Sequence, residues 1–248
     1  MATITHQTGK QILRYTRPER LVHWIGASSV LLLLLSGLVL LWAPLGALAA
    51  GGYSRLVHRL GALLFMAAPI LYAVLNRGHL KRLLIEPFRY DRDDLRWLMC
   101  APRYFFGFAK SMPPQGRINA GQKLHHAGTF ISFMAVTLSG FALWFGKANL
   151  GAEGMAVAAI IHDISMLAIT VLMIGHVYFT LVYGALPAMT TGYVSEEYAR
   201  LEHAKWLAEV NAQRSGTTEA EKVAEPAAPP EIEPAIGQTP AESVKGHN

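Results

Sequence analysis

Apolar residues in this 248-residue chain gather into four long runs, at residues 24–42, 60–75, 127–145 and 154–183. About 20 such residues cross the hydrocarbon of a bilayer as a helix. The second run holds only 16, but Leu56 and Val57 extend it to spanning length. The pattern therefore predicts an all-α membrane protein with a four-transmembrane-helix bundle. Between the second and third runs lie residues 76–124, too long for a structureless connection. Within them, residues 93–110 mix Leu, Trp, Met, Tyr and Phe with Arg and Lys, which suits an interfacial helix broken near Pro102. Pro113-Pro114-Gln115-Gly116 marks a turn, and residues 193–207 suit a short amphipathic helix. Beyond about Glu209, Pro, Ala, Glu and Thr dominate and large apolar residues are few, so a disordered tail is expected. The division is a membrane domain over 1–208 and a Pro/Ala/Glu-rich tail over 209–248. No repeat of solenoid period is visible.

Composition agrees with a membrane class. Apolar residues make up 52% and charged residues 16%, against roughly 25% charged in soluble domains. Lys and Arg are placed unevenly. Four precede Trp24 and ten lie in 76–124, but only Lys147 follows the third run before the fourth. By the positive-inside rule the N-terminus, the central loop and the C-terminus belong in the cytoplasm. The net charge of +5 thus reports topology, and nothing interleaves aromatic and basic residues as a nucleic-acid module would. Ala47-Leu48-Ala49 resembles a signal cleavage site, but the apolar run before it exceeds the 7–15 residues of a signal peptide, so it reads as a span. The single cysteine, Cys100, excludes an internal disulfide and a four-cysteine iron–sulfur cluster.

Chemistry enters with His23, His58, His162 and His176, which sit in or at the edge of the apolar runs. Hydrocarbon offers a ring nitrogen no partner. His162 and His176 lie fourteen residues apart in one run, about 40° short of four full turns and about 21 Å along the axis. One helix face and two depths suggest two cofactors stacked across the membrane. Haem iron takes imidazole as an axial ligand, and bundles clamp such groups between facing helices. Matching by depth pairs His58 with His162 at the outer side and His23 with His176 at the inner side. Gly26, Gly61 and Gly175 would admit a flat ring. His125 and His126 open the third run at the inner end and rival His23. The chain has no C-x-x-C-H, so the haems would be non-covalent b type.

The text Arg14-Tyr15, Arg17, Arg20, His23-Trp24, then His58, Asn119-Ala120-Gly121-Gln122-Lys123 and the pair His162/His176 resembles a known family. It is similar to the cytochrome b (gamma) subunit of membrane-bound formate dehydrogenases, within the wider di-haem cytochrome b family that also serves nickel–iron hydrogenases. The resemblance covers about residues 10–205. It implies two haems b, with His58 and His162 on the outer iron and His23 and His176 on the inner. It further implies a quinone, menaquinone or ubiquinone, held by Asn119, Gly121 and Gln122 beside His176. Formate oxidation would lie in a partner carrying a molybdenum or tungsten pterin, with an iron–sulfur subunit relaying electrons. This chain would be the quinone-reducing, lipid-embedded subunit in a bacterial inner membrane, within a higher-order oligomer. The outer loops, residues 43–55 and 147–154, would meet those partners. Arg14, Arg17 and Arg20 would neutralise inner haem carboxylates, and Arg55 or Arg59 the outer ones. A hydrogenase partner is the alternative, and a histidine-lined transporter is the reading from a different class.

Overall fold

The computed structural model describes residues 10–108 and 111–224. A strand β1 (Gln11–Leu13) leads into α1 (Arg17–Leu41); a short α2 (Gly46–Ala49) turns the chain into α3 (Tyr53–Leu75). The central segment contains α4 (Arg77–Ile85) and α5 (Arg92–Phe105), followed by α6 (Ala120–Phe145) and α7 (Gly151–Val182). After α8 (Leu186–Thr190) come strand β2 (Tyr193–Ser195), α9 (Glu196–Glu202) and α10 (Ala204–Ala224). The four helices α1, α3, α6 and α7 are long and apolar enough to cross a membrane. At 1.5 Å per residue the shortest, with 23 residues, is about 35 Å long, against ~30 Å of hydrocarbon.

Local chemistry explains where the spans begin. Thr16 caps α1 while Glu19 reaches back to the Thr16 amide at 2.8 Å, and Asn119 with Gln122 repeats this capping box at α6. Gly52 at φ 75° and Gly151 at φ 60° supply the left-handed turns that start α3 and α7. The spans then pair as two hairpins, α1 with α3 and α6 with α7.

Their packing is that of a membrane bundle. Apart from Glu19 and Ala120 at helix starts, the buried span residues are Val22, Ser29 and Ser36 on α1, Gly61 and Ala68 on α3, Ser132 and Ser139 on α6, and Ala158 and Ser165 on α7. Within each helix they recur every seven residues, the period of a left-handed seam. Most are small, which lets backbones approach where lipid removes the hydrophobic drive between helices. The leucines face outward: Leu31, Leu35, Leu63 and Leu167 are all exposed.

A correspondence at a separation of 103 residues links the hairpins. Arg14 matches Arg117, Thr16 matches Asn119, Glu19 matches Gln122, His23 matches His126, Ser29 matches Ser132, and Ser36-Gly37 matches Ser139-Gly140. The two arginines bond reciprocally: Arg14 Nη2 donates to the Arg117 carbonyl at 2.8 Å, and Arg117 Nη2 donates to that of Arg14 at 3.1 Å. Such an exchange is the local signature of two-fold pairing. It closes the end of the bundle where α1 and α6 begin, hereafter the proximal end.

The same end carries a polar cap. Strands β1 and β2 pair antiparallel, Ile12 opposite Val194. The Lys205 amide donates to the Gln115 carbonyl at 3.0 Å, and Gln115 Oε1 accepts from the Ala120 amide at 2.8 Å. His203, fully buried, bonds the Gly116 carbonyl through Nδ1 at 2.8 Å. Burial first, and the Arg14 charge second, push this imidazole down to about 3. Lys205 pairs with Asp91 and Asp93 at 2.8 Å each; its hydrogen bond holds the Asp91 carboxyl down at about 2.

Three expectations change in detail. Helix α5 passes through Pro102 and ends three residues later at Phe105, because the ring sits where α5 is about to stop. Residues 193–207 form a strand and two helices, since pairing with β1 draws Tyr193–Ser195 into a ladder. The bundle unit ends at Ala208, yet α10 runs to Ala224 with Ala212–Gly216 exposed. Residues 225–248 of the expected disordered tail lie outside the described residues.

Two outcomes are expected. A Cβ on Gly61 would meet the Leu33 and Leu32 side chains at 3.2–3.3 Å, whereas one on Gly78 meets nothing within 4 Å. Gly61→Val should destabilise the chain in detergent by about 1–3 kcal/mol, and Gly78→Ala should not; equal thermal midpoints would contradict the seam. His203 is neutral when folded but in an unfolded chain protonates below 6.5. Its contribution is therefore complete above pH 6.5 and declines as pH falls from 6.5 toward about 3. Protection factors of the Lys205 and Leu207 amides, with the intrinsic pH dependence of exchange divided out, should fall across that window, and His203→Gln should flatten the dependence.

Candidate functional site

At the distal end, His58 of α3 faces His162 of α7 with ring centres 6.2 Å apart. Neither ring is held by its own helix alone. Ser36 Oγ on α1 lies 3.0 Å from His58 Nδ1, and Ser139 Oγ on α6 lies 3.1 Å from His162 Nδ1. The residue after each serine is glycine, and a Cβ on Gly37 or Gly140 would come within 3.3 or 3.2 Å of the histidine Cε1. Around the pair opens a cavity of about 490 Å³ that includes Phe65, Val136 and Phe141 in its walls, with Arg55, Arg59 and Lys147 among its cationic lining. Its size falls in the 300–1,000 Å³ range of cofactor sites. The Arg59 guanidinium lies over the Trp144 ring at 5.1 Å.

At the proximal end, His23 of α1 faces His176 of α7 at 6.1 Å between ring centres. His125 stacks almost parallel to His176, 16° between planes and 5.1 Å between centres, and His126 lies 5.9 Å from His125. An imidazole nitrogen sits about 2.0–2.1 Å from a zinc ion. With an iron bond of that order and the ring centre ~1.1 Å behind the nitrogen, two rings across one metal stand about 6.2–6.4 Å apart. The separations of 6.2 Å for His58/His162 and 6.1 Å for His23/His176 lie at or within about 0.1 Å of that spacing, and the 5.1 Å of His125/His176 is shorter. His23 Nδ1 is buried without a hydrogen-bond partner among the described residues, as are Arg14 Nη1 and Arg20 Nε.

Asn119, Gly121 and Gln122 lie at the start of α6, six residues or fewer before His125, which touches His176. Their oxygens are engaged: Asn119 Oδ1 accepts from the Gln122 amide at 2.8 Å, and Gln122 Oε1 accepts from the Asn119 amide at 3.0 Å. What the capping box leaves unused are the two side-chain NH2 groups. Trp97 of α5 closes over Gly121, where a Cβ would meet its ring at 2.9 Å. Beside it the buried pair Lys123–Asp94, at 2.6 Å, ties α6 to α5.

Two of the three glycine expectations, Gly26 and Gly61, are revised. Gly61 packs against Leu32 and Leu33 and Gly26 approaches Ala68, so both serve the α1–α3 seam, while Gly175 faces open space. The glycines against the distal histidines are Gly37 and Gly140. Together with Ser36 and Ser139 they are the site residues that sequence reading missed, although a Ser-Gly pair recurs in two apolar runs 103 residues apart. Arg14 is buried and engaged by Arg117, while Arg17 is exposed and Arg20 donates to the Thr190 carbonyl. Among the described residues no group of three or more His, Cys, Asp or Glu could hold a bare metal ion. Two-histidine sites suit a metal whose other ligands come with it.

A family model for prokaryotic cytochrome b561 matches residues 14–192. The chain belongs to this family. It is a membrane cytochrome b, and both histidine pairs fall inside the matched region. Among curated relatives it is 28% identical over 208 residues to the cytochrome b556(fdo) subunit of formate dehydrogenase from Escherichia coli strain K12, covering 80% of this chain and 93% of that protein. The formate dehydrogenase cytochrome b556 subunit of Haemophilus influenzae is 20% identical over 216 residues, covering 84% and 87% respectively. The nitrate-inducible cytochrome b556(Fdn) subunit of Escherichia coli strain K12 is 21% identical over 209 residues, covering 81% and 92%.

Proposed function

We propose that this cytochrome b is the membrane subunit of a formate dehydrogenase, conducting electrons from an iron–sulfur partner at the distal end to quinone at the proximal end. The observation that carries the reading is the pair of histidine couples at two depths, with ring separations of 6.1 and 6.2 Å. The names of the curated relatives support the choice of formate dehydrogenase, whose catalytic subunit would bear a molybdenum or tungsten pterin. When bound, two b-type haems supply one-electron transfer at these two depths.

The chain's own residues do the rest. His58 and His162 would hold the distal iron, and His23 and His176 the proximal one. Gly37 and Gly140 keep the backbone clear of the distal rings. Arg55, Arg59 and Lys147 offer cationic partners to carboxylates at the distal mouth, and the buried unpaired donors Arg14 Nη1 and Arg20 Nε offer the same at the proximal end. At the start of α6 the free NH2 groups of Asn119 and Gln122 are suited to a quinone carbonyl, with Gly121 between them making room for the Trp97 ring that would wall the site. The Lys and Arg distribution supports a cytoplasmic proximal end in a bacterial inner membrane, with protons for quinone reduction drawn from that side. Residues 1–208 would form the membrane domain and 209–248 a cytoplasmic tail.

Haem extraction from variants tests the ligand sets. His58→Ala or His162→Ala should remove one of two haems, His23→Ala or His176→Ala the other, and His125→Ala neither. Loss of a haem in His125→Ala with retention in His23→Ala would reverse the proximal assignment. For the quinone, Asn119→Ser keeps a good helix cap but deletes the NH2. Both haems should still be reduced by the donor, and their reoxidation by quinone should slow up to about ten-fold, as for one hydrogen bond lost. Normal reoxidation at full haem content would move the quinone elsewhere.

A further inference from the structure

The two distal histidines differ from the proximal pair in how their second ring nitrogen is held. Ser36 Oγ makes its shortest contact, 2.7 Å, with the Leu32 carbonyl, and Ser139 Oγ its shortest, 2.7 Å, with the Ala135 carbonyl. A carbonyl only accepts, and a serine has one hydroxyl hydrogen. That hydrogen is spent on the helix backbone, so towards histidine each Oγ acts as an acceptor. Nδ1 of His58 and of His162 must then carry the proton, at 3.0 and 3.1 Å, and each ring also has a backbone carbonyl in reach as acceptor, that of Leu33 for His58 and of Val136 for His162. In a neutral ring this leaves Nε2 bare, in the form that ligates a metal. Both serines are buried, 6% and 5% exposed. They occupy matching places on α1 and α6, each followed by the glycine that admits its histidine. Nothing equivalent stands at His23, whose buried Nδ1 has no partner among the described residues.

We propose that Ser36 and Ser139 are positioning residues that hold His58 and His162 in the Nδ1–H tautomer and lower the midpoint potential of the distal haem. This rests on the ligand assignment proposed above. An Nδ1–H that donates to an oxygen makes the imidazole a stronger electron donor. A stronger donor stabilises ferric iron over ferrous, which lowers the potential. Two haems with the same kind of ligands are thereby given different potentials by two hydroxyls. The order is the useful one, since electrons arriving at the distal end then fall towards the proximal end. The paired placement matters, because one serine acts on each side of the same iron and their effects add.

Redox titration of the full chain in its membranes, following each haem's visible band, tests this with Ser36→Ala, Ser139→Ala and the double variant. The distal midpoint should shift upward in each single variant and further in the double, with the proximal midpoint unchanged and two haems retained. Ser36→Thr and Ser139→Thr, which keep a hydroxyl able to bond the i−4 carbonyl, should restore the parental value. Unchanged distal midpoints at full haem content would overturn the proposal. If the alanine variants lose the distal haem, retention in the threonine variants supports the hydrogen bond as the holding contact. Loss in both sets shows that packing volume alone matters and overturns it. His162→Ala measured alongside separates the two levels: if it retains both haems, the ligand assignment has failed rather than the role of the serines.

Discussion

A ring nitrogen surrounded by lipid tails has only the protein to bond, and an unpaired one costs several kcal/mol. The placement of His58 and His162 meets that requirement. His58 and His162 each have one nitrogen tied to a serine on the neighbouring helix, and their ring centres stand 6.2 Å apart. The serines are in turn satisfied by carbonyls one turn back on their own helices. The seam that brings α1 onto α3 and α6 onto α7 is built of the same small residues. Packing and chemistry thus share positions: Ser36 and Ser139 are at once the last buried residues of the seven-residue seams and the hydrogen-bond partners of the distal histidines.

The two ends of the bundle are built differently, and the difference follows from their surroundings. The distal site is an apolar cavity with cationic residues in its lining. The proximal end is closed by backbone pairing, by the exchange between Arg14 and Arg117, and by buried His203 and Gln115. Polar structure of that density belongs at a water interface, where β1, β2 and the loop before α6 can be satisfied without lipid. It fixes the start of α6, and with it Asn119, Gln122 and His125, against the helix that carries His176. A proximal end that must hold a second reactant benefits from such rigidity.

Much of this was legible in the chain. The four spans follow from apolar length alone, and the pairing of His58 with His162 and His23 with His176 follows from depth along helices of known rise. The fourteen-residue spacing was informative because a helix converts sequence distance into direction and height. The missing parts depend on contacts between segments far apart in sequence. Ser36 and Ser139 look like ordinary small residues in leucine-rich runs until the neighbouring helix is in place. Gly26 and Gly61 looked like porphyrin cradles, but which face of a helix meets another helix is decided by packing. The strand pair at Ile12 and Val194 joins residues 182 apart and has no local signal. That Gln122 completes a capping box with Asn119, leaving only the NH2 groups of both free, depends on side-chain geometry at the start of α6.

The central claim is that four histidines on three helices form two metal-holding pairs. Its most direct test is haem extraction from the purified chain combined with low-temperature electron paramagnetic resonance of the oxidised protein. The account predicts two non-covalent b haems per chain, both low-spin with two imidazole ligands. One haem per chain, or a centre ligated by methionine or by a single histidine, would contradict it.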